Sequence, residues 1–272
     1  MFSNKTVLIT GASSGLGAAL AHAFAEVGAN LALFSFEKER QEEVAASCRR
    51  LGVEAVPVIG DVTSTEDCAR YIDTAVSELG GIDVLLCNAG ISMWSKFEDI
   101  EDLGIFRKLM EVNFMGAINC IHPALPHLRK SKGVITAITS IQSKIGVPLH
   151  TGYVASKHAL QGFCESLRME LEGSGVDILT VLPHWIRGTD LRKNALSGQG
   201  KALGESSRKH SSESVSVEEA CSAILDAIRD RRRDLILPWK LKVLMALHVV
   251  APNMAESIIK GAVSHQDAAK GS

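Results

Sequence analysis

The run Thr6-Val7-Leu8-Ile9-Thr10-Gly11-Ala12-Ser13-Ser14-Gly15-Leu16-Gly17 decides the fold. Its first five residues are apolar or β-branched and read as a short buried strand. The rest form a G-x-x-x-G-x-G turn, after which Leu16, Leu20, Ala23, Phe24 and Val27 recur at helical spacing until Gly28. A strand, a glycine turn and a helix in this order are what a dinucleotide site requires. The glycines admit conformations closed to other residues, bring backbone N–H groups close to a pyrophosphate and let the helix pack tightly on the sheet. The phosphate then meets the positive end of the helix dipole.

Outward from this turn, further apolar runs at residues 31–34, 53–59, 82–87, 133–138 and 176–182 alternate with helical stretches at 37–51, 64–79 and 153–171. That alternation is the pattern of repeated βαβ units around a mostly parallel sheet, and Asp234–Leu237 is a plausible seventh strand. The strands are too apolar to leave one face in water, so helices are expected on both sides. No repeat and no Pro/Gly linker divides the sheet. The expected fold class is therefore α/β, a single doubly wound domain spanning residues 1–272.

Composition agrees with a folded globular protein, at 46% hydrophobic and 22% charged residues. A net charge of -2 gives no electrostatic reason to expect a nucleic-acid partner. Cys48, Cys68, Cys87, Cys120, Cys164 and Cys221 lie far apart without a CxxC, so buried thiols are expected rather than disulfides or a metal site. The histidines form no HxxxH or HExxH, and no metal is expected. With no signal-peptide pattern ahead of the first strand, the expected location is cytoplasmic.

Several residues then fall at the ends of these elements. Asp61-Val62 closes the third strand, Asn88-Ala89-Gly90 the fourth and Ser140 the fifth; Asn113 sits in a helix, and Tyr153-x-x-x-Lys157 opens the next. Tyr153 and Lys157 are one turn apart and share a helix face. A tyrosine of ordinary pKa, about 10, is a poor base, but a nearby ammonium favours the phenolate. Such a pair can pass a proton to or from a substrate oxygen, which the Ser140 hydroxyl can hold in place.

Over residues 5 to about 190 this ordered set resembles the short-chain dehydrogenase/reductase family, in its branch of about 250 residues. The resemblance implies a Rossmann-type oxidoreductase with Asn113, Ser140, Tyr153 and Lys157 as the catalytic set. Lys157 would also bond the nicotinamide ribose, and Asn113 would hold a water linking the lysine to solvent. It further places Asp61 and Val62 beside the adenine, Asn88 and Gly90 near the adenosine ribose, with Ala89 between them, and Ile186 and Thr189 after Pro183 near the carboxamide. Here Pro183-His184-Trp185-Ile186-Arg187-Gly188-Thr189 departs from the family's usual Pro-Gly and adds a residue before the threonine. His184 reads as a steric filler.

For the cofactor, Ser35 stands where NAD-preferring relatives usually carry aspartate, and Phe36 where NADP-preferring ones often carry arginine. Ser13, Ser14 and Ser35 could bond a phosphate while Lys38 or Arg40 supplies charge, so NADP(H) is favoured over NAD(H), with Glu37 counting against it. The run Ser156-Lys157-His158-Ala159-Leu160-Gln161-Gly162-Phe163 resembles hydroxysteroid-dehydrogenase-like members, implying a lipophilic carbonyl or alcohol substrate. A 3-oxoacyl thioester reductase and a catalytically silent cofactor-sensing protein are the alternatives.

Two regions stand outside the alternation. Residues 188–216 are polar and follow a strand's carboxyl end, where open sheets place ligands, so a substrate lid is expected. Residues 238–272 form an apolar extension whose Pro238 to Val250 stretch reads as a helix with Trp239, Lys240 and Lys242 at its start, suited to peripheral membrane contact. A homodimer or homotetramer is also expected, because the helices carrying Phe163, Leu167 and Met169, and Phe114, Met115, Ile118 and Ile121, are apolar on more than one side.

Overall fold

The structure, a computed structural model, describes residues 2–204 and 214–268. The first unit is β1 (Thr6–Thr10), α1 (Gly15–Glu26) and β2 (Asn30–Ser35), followed by α2 (Lys38–Arg49), β3 (Ala55–Ile59), α3 (Thr65–Leu79) and β4 (Val84–Cys87). The chain continues through α4 (Gly104–Met110), α5 (Gly116–Ser131), β5 (Val134–Ile138), α6 (Thr151–Glu170) and β6 (Asp177–Pro183). A short parallel pair, β7 (Ile186–Arg187) with β8 (Val215–Ser216), precedes α7 (Val217–Arg229), β9 (Asp234–Leu237), α8 (Leu241–Val250) and α9 (Pro252–Ala268).

The main sheet has the order β3-β2-β1-β4-β5-β6-β9, and every pairing is parallel. Alternation of side chains along each strand splits the core into two layers. Val7 and Ile9 of β1 join Leu31 and Leu33 beneath Phe24 of α1, Val44 of α2 and Ile224 of α7. Leu8, Ala32 and Phe34 point the other way, beneath Tyr71 of α3, Ile121 of α5 and Leu160 of α6. Each fully buried Leu or Phe contributes about 1.5–3 kcal/mol, so a one-residue slip of β1 would exchange the layers and forfeit both sets. Strand order reverses between β1 and β4, which opens a crevice beyond their carboxyl ends.

Where elements begin, local chemistry explains most boundaries. Ser64 caps α3 by accepting from the Asp67 N–H at 3.1 Å, and Gly80, at φ +81°, ends it. Ser216 and Glu219 form a reciprocal capping box at the start of α7. Most boundaries shift by a residue or two from the expectation, β4 among them, which starts at Val84 rather than at residue 82. β3 starts at Ala55 rather than at residue 53. α6 starts at Thr151, so Tyr153 lies inside its first turn. The helix expected across Asn113 is interrupted by a π-helical turn, Glu111–Met115, between α4 and α5.

Part of the expected lid is packed. The Leu196 N–H donates to the Ser92 carbonyl at 2.8 Å, the Trp94 N–H donates to the Leu196 carbonyl at 2.9 Å, and Ala195 and Leu196 are buried. Residues 205–213 of that lid, and 269–272 of the C-terminal extension, lie outside the described residues. Of the side chains that suggested subunit pairing, Ile121 is buried and Phe114, Phe163 and Leu167 pack on the core, whereas Met169 is exposed.

Candidate active site

At the crevice, Gly11 has φ +65° and donates its N–H to the Phe34 carbonyl at 2.8 Å. A Cβ at Gly17 would stand 2.1 Å from the Gly11 carbonyl oxygen, a contact no side chain tolerates. Ser14 is the N-cap of α1 but makes no side-chain cap bond, and the first turn carries no acidic residue. The helix thus presents backbone donors at a cradle only glycine can line, with Leu16 buried behind it. These features fit a dinucleotide pyrophosphate.

Asn88 braces this cradle. Its Nδ2 donates to the Thr10 carbonyl at 2.9 Å and the Gly11 carbonyl at 3.3 Å, while its own N–H and that of Ala89 both donate to Thr10 Oγ1 at 3.0 Å. The side chain is therefore engaged with the glycine turn. Val62 is buried at the end of the β3 loop, where its carbonyl accepts from Asn119 Nδ2 at 3.0 Å; Asp61 is exposed and its Oδ1 accepts from the Thr63 N–H at 2.9 Å. Thr189 reaches the cradle, with its Cβ 3.5 Å from where a Gly15 Cβ would stand, and its hydroxyl donates to the Ile186 carbonyl at 3.1 Å.

The serine cluster holds a carboxylate. Ser13 Oγ donates to Glu37 Oε2 at 2.7 Å, Ser35 Oγ donates to Ser13 Oγ at 2.9 Å, and the Glu37 N–H donates to Ser35 Oγ at 3.2 Å. Arg40 pairs with the other Glu37 oxygen at 3.2 Å. Lys38, the first residue of α2, is exposed.

Ser140, Tyr153, Lys157 and Asn113 converge next to this cleft. Ser140 follows β5, accepts from the Gln142 N–H at 3.1 Å and donates to the Pro183 carbonyl at 3.4 Å. Its side chain also lies near enough to Tyr153 to favour that phenol's charged form. Lys157 Nζ donates to the Ile138 carbonyl at 2.8 Å and stands 5.8 Å from the centre of the Tyr153 ring. A Cβ at Gly90 would lie 3.2 Å from Asn113 Oδ1 and 3.4 Å from Lys157 Nζ, so both groups meet at Gly90.

The electrostatics correct the expectation that the ammonium lowers the phenol. Burial pushes Tyr153 up to about 12, with the Ser140 side chain pulling the other way. Burial likewise brings Lys157 down to about 8. Desolvation dominates both groups because each is enclosed, and it disfavours whichever form is charged. Asn113 is fixed by three bonds: Oδ1 accepts from the Ile91 N–H at 2.8 Å, and Nδ2 donates to the Ile91 carbonyl and to Ser156 Oγ, both at 2.9 Å.

An aromatic wall beside Tyr153 was not anticipated. The His150 ring lies edge-on to Trp94, with centroids 4.6 Å apart, and 6.4 Å from the Tyr153 ring. Trp94 and Trp185 are 6.4 Å apart, and the Arg192 guanidinium lies 5.5 Å from one and 5.1 Å from the other. The available signal was that each tryptophan follows shortly after the end of a central strand. His184 bonds the Leu237 carbonyl through its N–H at 2.8 Å and sits beside Trp185.

Among the described residues, no group of three or more His, Cys, Asp or Glu could hold a metal, and no helix is long and apolar enough to cross a membrane. The six cysteines are buried and free.

Comparison with known proteins agrees with this geometry. A family model described as short chain dehydrogenase matches residues 5–200. The chain is 45% identical over 180 residues to 11-beta-hydroxysteroid dehydrogenase-like 3 of Arabidopsis thaliana, covering 66% of this chain and 58% of that protein, so the match spans little more than half the relative's length. With 11-beta-hydroxysteroid dehydrogenase 1A of Arabidopsis thaliana it shares 35% over 257 residues, 93% of this chain and 73% of the other. Among solved structures, an alcohol dehydrogenase from the archaeon Thermococcus sibiricus complexed with 5-hydroxy-NADP superposes with a TM-score of 0.73 at 26% identity, covering 86% of this chain and 95% of that one. Glycine cradle, sheet order, converging side chains and sequence similarity agree, and the chain belongs to the short-chain dehydrogenase/reductase family.

Proposed function

We propose that the chain is an oxidoreductase that exchanges a hydride between a nicotinamide dinucleotide and a carbonyl or secondary alcohol. The observation that carries this reading is the convergence of the Ser140 and Tyr153 hydroxyls, with the Lys157 ammonium 5.8 Å from the tyrosine ring, beside a glycine cradle. The dinucleotide, held by Gly11, Ser14, Gly15, Leu16 and Gly17 with Asn88 bracing the turn, supplies the hydride acceptor or donor. Tyr153 moves the proton. A phenol raised to about 12 is protonated near neutral pH and is ready to donate to a carbonyl oxygen that Ser140 holds. In the opposite direction the phenolate must form, and the Lys157 charge favours it. Asn113 acts as a positioning residue, through Ile91 and Ser156.

On cofactor preference, the Glu37 carboxylate supports NAD(H) rather than the NADP(H) suggested by the serines alone. Ser13 already donates to that carboxylate and Ser35 donates to Ser13, and a ribose phosphate placed there would meet the Glu37 charge. The proposed substrate is bulky and lipophilic, because Trp94, His150 and Trp185 cluster beside Tyr153, with Trp185 the most exposed of the three. Stacking and apolar burial, rather than hydrogen bonding, would seat it.

The test is a turnover screen with both cofactors over ketosteroids, smaller ketones and an acetoacetyl thioester. Turnover of ketosteroids well above the thioester is the expected result. Dinucleotide binding without turnover of any carbonyl or alcohol would make the chain a binding protein instead.

A further inference from the structure

Outside the cleft, the C-terminal helical hairpin leaves an apolar face exposed among the described residues. α8 has no buried residue, although eight of its ten residues are apolar, Lys242 and His248 being the exceptions. Its inner side chains Leu241, Leu244 and Met245 pack on Ile141, Ile145 and Ile259, yet Trp239 is 69% exposed, Val249 81% and Val250 80%. Val243, Ala246 and Val250 recur at intervals of three and four, which places them on one stripe of α8, and Trp239 lies in the turn just before it. Met254 and Ile258, one turn apart on α9, are exposed as well. An apolar helix face is normally buried against another element.

We propose that this face docks on the surface of a lipid bilayer carrying anionic headgroups, with α8 and α9 lying in the interface. Charge selects this occupant. From Leu235 to Ala255 the chain has no Asp or Glu, while Lys240 and Lys242 stand exposed beside Trp239 at the start of α8. Indole and ammonium groups flanking an apolar stripe match the depth profile of a headgroup region. A second copy fits less well, since a two-fold contact sets this basic segment against itself, and Glu256 of α9 is paired with Lys260 at 3.5 Å. The hairpin follows β9, at the same end of the sheet as the cleft, and packs on the turn after Ser140. Docking would therefore set the cleft close to the bilayer.

The experiment is vesicle co-sedimentation of the full chain with phosphatidylcholine alone and with a phosphatidylcholine–phosphatidylglycerol mixture. The protein is expected to pellet with the anionic vesicles, less so as salt rises. Val243→Asp with Val250→Asp, both at exposed positions, should lower partitioning by about tenfold or more, with circular dichroism unchanged. Lys240→Glu with Lys242→Glu should lower it by a similar factor on anionic vesicles only. Failure of the wild-type chain to pellet, or full binding by either double variant, would overturn the proposal. So would a lipid-free dimer, seen by sedimentation velocity, that Val243→Asp with Val250→Asp converts to monomer.

Discussion

Asn113 Nδ2 donates to Ser156 Oγ at 2.9 Å, and through this bond the π-helical turn is tied to the helix that carries Tyr153 and Lys157. Ser156 Oγ in turn donates to the Tyr153 carbonyl at 2.8 Å. Both groups are buried, so Ser156→Ala would leave an amide proton without its acceptor at a cost of about 1–3 kcal/mol. A Tm lowered by several degrees, together with a reduced kcat, is the expected outcome. An unchanged melt would mean that the bond contributes nothing.

Tyr153→Phe removes the hydroxyl and leaves the ring against His150. Turnover should fall by about 10²–10⁴, the range for a positioned acid–base group, while dinucleotide affinity measured by calorimetry stays within a few-fold. Retention of more than about a tenth of the rate would show that another group moves the proton.

Lys157→Met should stabilise the fold at pH 7 even as it destroys activity. The folded lysine gives up its proton near pH 8, the unfolded one near 10.4, so between those values the unfolded state binds more protons. Wild-type stability therefore rises with pH through that window, and below it carries a penalty of roughly 3 kcal/mol for the buried charge. Melting curves from pH 7 to 10 should show a gap between variant and wild type that closes as pH rises. A pH-independent gap would contradict the desolvation account.

Glu37→Gln keeps the hydrogen bond from Ser13 and removes the charge. The ratio of kcat/KM for NADP to that for NAD should increase by about tenfold or more, as expected when a like charge is withdrawn. Comparing both cofactors in wild type and variant decides the matter, and a wild type that already prefers NADP would refute the reading of Glu37.

The sheet was legible because its strands are apolar throughout: Thr6–Thr10 and Asp234–Leu237 match to the residue, and the glycine turn, Asn88 and Ser140 fall just beyond carboxyl ends of strands, whereas Asn113, Tyr153 and Lys157 lie on helical segments. The first turn of α6 was not, since Thr151 and Gly152 are weak helix formers, and that turn packs against distant groups, the Gly152 N–H lying 3.1 Å from Met93 Sδ. The π-helical turn escaped for the same reason, its register depending on Asn113 bonds to Ile91, 22 residues away. Spacing placed Lys157 near Tyr153 but is silent on burial, which reversed the sign of the tyrosine's shift. Likewise, spacing does not show that the Glu37 carboxylate folds back onto Ser13, with Ser35 bonded to Ser13 and to the Glu37 N–H.

The parallel pairing of β1 with β4 also dictates when the cleft can come into being. Val7 lies beside Val84, so the chain must close a loop of about 77 residues before the glycine turn has its opposite wall, at an entropic cost of about 4 kcal/mol. Pairings of such sequence separation form slowly and late. A dinucleotide can therefore not template the early steps of folding; it can only trap molecules that have already completed the centre of the sheet. In refolding, the recovery of nucleotide affinity should then lag behind helix formation, with the interval between them timing the arrival of β4 next to β1.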